Sequence, residues 1–386
     1  DIAGLIKTHS STLTNITINF RQTTSPSINS FWDAIAECTR NERLTMRNAE
    51  VTLFELQSFW RACSTARTLE MYGIIFKMTA ESALPDFKAS DMSRVLHLRC
   101  SNIQHLPSED FINWFLRRIP NLRSLHWSGS EIDDKALNAF CQGLSLNSWP
   151  DLDSLDIRPS AFMLDKNLAR ILDLLSKPLI LFRVPRSEFG DQAFRSMQQR
   201  GFFDSIRELN LNRCLGVTSA MVQTILSSCP VLEVCFAGRS FYMSDIVHGR
   251  PWICRRMRSL GVNIDVDQSV EDPDFLEQEH AVYKQLSIMT HIQRLAVNNE
   301  KASTQSSRTL DLRLGAGLGL LVGMRWLEEF WVKGDQWMAE EDVLWIVENL
   351  PRLRHFTGRL HVEEDKMLKL KKMFTDRGIA VYDNSL

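Results

Sequence analysis

The chain has 386 residues, 44% of them hydrophobic and 24% charged, an ordinary balance for a globular protein with a large core. Its 45 basic and 47 acidic residues leave a formal charge of -2, which excludes bulk attraction to nucleic acid or to an anionic membrane, so no nucleic-acid and no membrane partner is expected. No stretch approaches the roughly 18 apolar residues of a membrane helix, and the eight cysteines contain no C-x-x-C pair.

Read from the N-terminus, "DIAGLIKTHSSTLTNITINF" has no basic n-region followed by an apolar h-region, so the chain is expected in the cytoplasm or nucleus with reduced thiols. It opens without methionine in the middle of a pattern, and residues upstream of Asp1 are therefore expected to be missing. From Ile16 onward one phrase, L-x-x-L-x-L, recurs. Its centres fall at Ile16, Leu44, Leu69, Leu96, Leu125, Leu155, Phe182, Leu209, Cys235, Leu260, Leu295, Phe330 and Phe356. Between Leu44 and Leu260 the steps are 25, 27, 29, 30, 27, 27, 26 and 25 residues, which is a period.

Alternation at spacing two predicts a short strand at each centre, and the segments that follow, such as "EDFINWFLRRI", "AMVQTILSS" and "EEDVLWIVENL", have helical spacing. One strand-turn-helix unit cannot bury its own apolar side, but stacked units form a parallel sheet backed by helices. Helices are wider than the roughly 4.8 Å strand spacing, so the stack bends with its strands inside. The predicted fold class is thus α/β, a solenoid or horseshoe with a concave parallel sheet and convex helices, and the recurring phrase resembles that of a leucine-rich-repeat solenoid. A single solenoid over 1–386 is expected, regular over about 1–264, interrupted by an acidic insertion at about 265–280 and less regular over about 281–386.

The stretch Ile206 to Val234 carries the closest family likeness. At Leu209, Leu211, Cys214, Val217, Thr218, Ile225, Cys229 and Pro230 it resembles the cysteine-containing repeat of F-box/leucine-rich-repeat proteins, in the ribonuclease-inhibitor-like superfamily and of the type abundant in fungi. The likeness covers nearly the whole chain. It implies a substrate receptor of a cullin-based ubiquitin ligase, in which an F-box binds Skp1 and the repeats bind the protein to be ubiquitinated. No F-box phrase is present here, so Skp1 would be reached only through an F-box upstream of Asp1.

Six residues before a centre, the slot at each helix end holds Cys38, Cys63, Cys229 and Cys254 in four repeats and Ile119, Phe203 or Leu350 in others. Interchange with aliphatics marks those thiols as small buried hydrophobes rather than ligands or nucleophiles. "GAGLGLLVG", Gly315 to Gly323, lacks both the Gly-Lys-Ser/Thr ending and the G-x-G-x-x-G spacing of phosphate loops, and is expected to pack an irregular strand, "LDLRL", against the next helix. "DVDQSVEDPDFLEQE", Asp265 to Glu279, has seven acids without calcium-loop order and is expected to be a solvated insertion. "NNEKASTQSSR" at 298–308 is expected to be a polar excursion.

Function is expected in the positions flanking the second core residue of each phrase, which face the hollow. In order these include Arg47 and Tyr72, then His97 and Arg99, then His126, with Asp156 and Arg158 after it. Further along come Arg183, Asn210, Asn212 and Phe236, and finally Trp331 and Lys333. Arginine and aromatic side chains anchor protein interfaces through bidentate pairing and rigid contact area. His97, His126 and Asp156 are expected in one row across adjacent strands, but no serine or cysteine nucleophile accompanies them, no histidine has zinc spacing, and neither catalysis, metal nor cofactor is expected. The expected role is a protein-protein interaction module that binds a protein substrate on its concave face, as in an SCF-type receptor; the alternative is a scaffold or regulator without ubiquitin involvement.

Overall fold

The computed structural model describes residues 2–20, 28–77, 92–103, 118–129, 134–158, 163–267, 274–297 and 310–383. The chain divides into two compact units, Asp1–Ser187 and Glu188–Leu386. In each, the repeated phrase forms parallel strands laid down in chain order, with helices between them, so each is an α/β solenoid of the leucine-rich-repeat type.

The first unit has β1 (Asn15–Asn19), β2 (Arg43–Arg47), β3 (Glu50–Thr52), β4 (Thr68–Tyr72), β5 (Ile75–Lys77), β6 (His97–Ser101), β7 (Ser124–Ser128), β8 (Ser154–Ile157) and β9 (Leu181–Arg183). Its main sheet runs β1-β2-β4-β6-β7-β8-β9, and β3 pairs with β5 in a small second sheet. The register aligns Ile16, Leu44, Leu69, Leu98, Leu125, Leu155 and Phe182 in one buried ladder. Helices Ile28–Ala36 and Leu56–Cys63 cover its first repeats, with Trp32 edge-on to Phe59 at 5.1 Å and Trp60 stacked on Phe76 at 6.0 Å.

The register corrects one centre. Leu98, not Leu96, stands opposite Leu69 and Leu125. A shift of two residues keeps side chains on the same face of a strand, so alternation alone cannot separate two leucines two apart. The packing does: Val95 and Met92, three and six residues before Leu98, are buried, whereas Ser93, three before Leu96, is exposed. The segment "EDFINWFLRRI" lies at 109–119, mostly outside the described residues.

At the exit of four consecutive strands the backbone turns left-handed, at Asn48 (φ 56), Gly73 (φ 62), Asn102 (φ 53) and Gly129 (φ 73). Asparagine and glycine are the residues that tolerate this region. The turn aims each N–H at the neighbouring strand: Asn48 donates to the Tyr72 carbonyl at 2.8 Å, Gly73 to Ser101 at 2.8 Å and Asn102 to Ser128 at 2.9 Å.

The second unit has β10 (Glu208–Asn210), β11 (Val234–Tyr242), β12 (Ser259–Asp265), β13 (Arg294–Val297), β14 (Glu329–Asp335), β15 (His355–Arg359) and β16 (Ala380–Tyr382), paired in that order. Its ladder is Leu209, Cys235, Leu260, Leu295, Phe330, Phe356 and Val381; the last is a repeat beyond the thirteen legible in the sequence. "AMVQTILSS" and "EEDVLWIVENL" fall in helices Ser219–Ser228 and Glu340–Asn349, the first capped by the Thr218 side chain on the Met221 N–H.

Two expectations for this unit need correction. "LDLRL", 310–314, is not a strand: buried side chains take its backbone bonds instead. Glu279 Oε1 accepts from the Asp311 N–H (3.2 Å), Gln336 accepts from Leu312 (2.9 Å) and donates to Leu310 (3.1 Å), Asp342 accepts from Leu314 (2.8 Å), and Tyr283 donates to the Asp311 carbonyl (2.7 Å). The acidic stretch is likewise not solvated throughout, because Glu279 sits on helix Phe275–Ser287 and is 1% exposed. Two short 3-10 turns, Leu314–Ala316 and Leu318–Gly323, carry the glycine-rich phrase, and Gly317 (φ +118) brings its backbone against the Tyr283 ring, where a Cβ would stand 2.9 Å from Cδ2. The polar break at 298–308 lies outside the described residues. No helix among the described residues is long and apolar enough to cross a membrane.

Candidate functional site

The strand face of the first unit is built by the alternation of β1 to β9: residues on either side of each ladder position turn away from the helices. The row just after the ladder reads Thr17, Thr45, Glu70, Arg99, His126, Asp156 and Arg183 across seven strands. Arg99, not His97, therefore stands beside His126. His97 faces the same way but pairs with Thr68 and Ser124, one rung away, so the expected row of His97, His126 and Asp156 is replaced by Arg99, His126 and Asp156. Desolvation holds the His97 imidazole below its usual range, with Arg123 and Arg67 pushing the same way against Asp153.

Asp156 is the centre of the best-defined cluster. It is 5% exposed, against the expectation of a solvent-facing polar residue, because cationic neighbours cover it. His126 Nδ1 donates to Oδ2 at 2.9 Å, Arg158 reaches both oxygens through Nε (3.1 Å) and Nη2 (3.2 Å), and Arg183 Nη1 lies 3.6 Å from Oδ2. Burial pulls this carboxyl's pKa upward, but the hydrogen bonds and charges of His126 and Arg158 prevail and leave it below the ordinary value. A carboxylate held this way positions one histidine and two arginines.

A second arrangement is centred three strands away, on β4. Tyr72 takes the guanidinium of Arg47 at 5.0 Å and that of Arg99 at 5.6 Å from its ring centroid, one from the strand on each side. Its hydroxyl donates to Glu70 Oε2 at 3.4 Å, which also accepts from Thr45 at 3.1 Å. Burial first, and Glu70 next, raise the Tyr72 phenol, so it stays protonated. Sequence reasoning missed Arg43, exposed on the same face one position before the ladder. Extending the alternation one residue toward the N-terminus of each phrase finds it.

On the second unit's strand face the corresponding row is Asn210, Phe236, Gly261, Ala296, Trp331, Thr357 and Tyr382. Asn210 spends its Oδ1 on the Asn212 N–H at 3.0 Å, a local turn, and Asn212 lies over Gly238. Phe236 is half-buried and Trp331 is 39% exposed. Lys333 lies on β14 with its side chain outside the described part.

All eight cysteines are buried free thiols. Burial raises Cys38, Cys63, Cys100, Cys141, Cys229, Cys235 and Cys254, the last two to about 12, which disfavours the thiolate that metal binding or nucleophilic attack requires. Among the described residues no group of three or more His, Cys, Asp or Glu is arranged to hold a metal ion.

No protein-family model matches the chain, and no curated protein matches it in sequence. Among solved structures it is similar to that of the Rad7 and Elc1 complex in yeast, with 13% identity over 90% of this chain and 83% of that one and a TM-score of 0.45. It is also similar to the leucine-rich-repeat-containing protein LegL7 from Legionella pneumophila, with 12% identity over 95% of this chain and 98% of that one and a TM-score of 0.39.

Proposed function

We propose that this chain is a protein-recognition module that grips a partner on its strand face, and that it serves as the repeat region of an F-box/leucine-rich-repeat substrate receptor in the cytoplasm or nucleus. The chain binds rather than catalyses. The observation that carries this reading is the Arg47–Tyr72–Arg99 stack, three rigid anchor-type side chains ordered in advance on an open sheet face. The ligase part rests on the likeness of the Leu209 repeat to its family.

Two experiments test it. A photo-crosslinking amino acid placed at position 101, on the strand face beside Tyr72 in register, is expected to capture a defined partner that the same group at Lys166, exposed on helix Asp165–Leu174, does not. Equal adducts at both positions would remove the recognition face. Co-expression of the full-length protein with Skp1 is expected to give a stoichiometric complex; if Skp1 does not co-purify, the ligase role falls and a ubiquitin-independent scaffold is left.

A further inference from the structure

The first unit's strand face has a charge of the opposite sign to the chain that carries it. The chain is formally -2. At the outward positions of the main-sheet strands stand Arg43, Arg47, Arg99, Arg158 and Arg183, and only two carboxylates, Glu70 and Asp156. With histidines neutral, five minus two gives +3. Both carboxylates are already engaged, Glu70 by Thr45 and Tyr72 and Asp156 by His126 and Arg158. Arg43, Arg47 and Arg99 are ion-paired with no carboxylate among the described residues.

We propose that this face takes an extended segment of a partner protein rich in aspartate and glutamate, lying across the strands. The inference rests on the recognition reading above and names the chemistry of what is recognised. Guanidinium groups match carboxylates edge to edge through paired N–H donors. Cation–π contact with Tyr72 holds the guanidinium groups of Arg47 and Arg99 near the ring before a partner arrives, which lowers the ordering cost of binding. Spacing agrees as well. Arg47 on β2 is in register with Ser101 on β6, two residues past Arg99, so the two arginines stand two strand spacings of about 4.8 Å apart across the sheet and about 7 Å apart along it, roughly 12 Å in all; acids four apart on an extended chain at about 3.3 Å per residue lie on one face and span about that distance. Nucleic acid fits less well, since the outward aromatic here is flanked by two guanidinium groups and offers no free ring for a base.

The test uses the purified chain and a fluorescein-labelled peptide of alternating glutamate and serine, about ten residues long so as to cross the sheet at the strand spacing. Fluorescence anisotropy is expected to show saturable binding that weakens with added salt, and to drop about tenfold in affinity in the Arg47→Gln/Arg99→Gln double variant. Arg43→Gln is expected to weaken binding less, and Lys166→Gln not at all; thermal melts followed by circular dichroism confirm that each variant is folded. The proposal is overturned if the glutamate peptide does not bind, if its glutamine counterpart binds equally well, if the double variant binds unchanged, or if a single-stranded oligothymidylate binds more tightly than the peptide. Peptide failure with position-101 crosslinks intact sinks the acidic segment and spares the recognition face. Loss of both sinks both.

Discussion

Arg158 holds Asp156 in a two-pronged grip, Nε to Oδ1 at 3.1 Å and Nη2 to Oδ2 at 3.2 Å, while the carboxylate stays buried and the arginine remains 45% exposed. The pair thus joins a desolvated anion to a half-wet cation. Asp156→Asn would leave Arg158, Arg183 and His126 facing one another without the charge that gathers them. Breaking a fully buried pair costs about 3–5 kcal/mol, and solvent screening of Arg158 reduces this to about 2 kcal/mol. The expected outcome in urea unfolding is a lower midpoint with an unchanged slope. The sign with pH follows from the depressed carboxyl: its contribution is present above the unfolded value of about 3.9 and fades as acid drives the pH down through the lower folded value. Asp156→Asn should lack that part of the acid-induced loss.

Glu279 behaves in the opposite sense. Burial lifts its carboxyl to about 7, with the Asp311 carboxylate adding to the rise and the Asp311 N–H and Arg313 opposing it. The folded state therefore holds a proton that the unfolded chain releases above about 4.5. Stability from this group is complete below that point and declines as pH rises toward and through about 7. Glu279→Gln keeps an oxygen to accept from the Asp311 N–H and adds no charge. It is expected to be more stable than the parent at pH 8 by about 2 kcal/mol and to flatten the stability profile between about pH 5 and 7. An unchanged profile in denaturant titrations across that range would refute the assignment.

The reach of the sequence is clearest where it stopped. A ladder position such as Leu125 or Leu260 announces itself by a spacing that only a buried stack requires, so the solenoid class and nearly every strand could be read. The Leu96 and Leu98 ambiguity could not be settled by alternation, and its consequence moved His97 out of the row that Arg99 occupies. The Arg47–Tyr72–Arg99 stack joins three strands, so it depends on register that no local pattern encodes. The bonds from Glu279, Gln336 and Asp342 to the 310–314 backbone cross 24 to 32 positions of sequence and turn an apparent strand into a side-chain-tethered coil.

Gly129 tests the left-handed exits. At φ +73 a side chain is strained, and a Cβ there would stand 1.9 Å from Asn102 Oδ1. The Asn102 amide would have to swing aside to make room, on top of the strain at this φ. Gly129→Ala is expected to cost about 2 kcal/mol or more, measured by chemical denaturation. Gly4→Ala, with nothing within 4 Å of the added carbon and an ordinary helical setting in Ile2–Thr8, should instead be neutral or slightly stabilising.

The cysteines make a kinetic prediction. Burial raises the Cys229 and Cys235 thiols, with Cys235 and Cys254 adding to the rise at Cys229 and Cys254 adding to it at Cys235, and all three cysteines are fully enclosed. A thiol that reaches neither water nor the thiolate form reacts only when its repeat opens. With the thiol reagent DTNB the native chain is expected to show almost no fast reaction, and in denaturant all eight cysteines should react. Cys229→Ser is expected to destabilise by about 1–3 kcal/mol, since a hydroxyl in that slot loses its water without a designed partner, whereas Cys229→Ala loses less. Rapid native labelling of Cys229 would mean that the helix-end slot is an exposed reactive site, and the packing role assigned to it would be wrong.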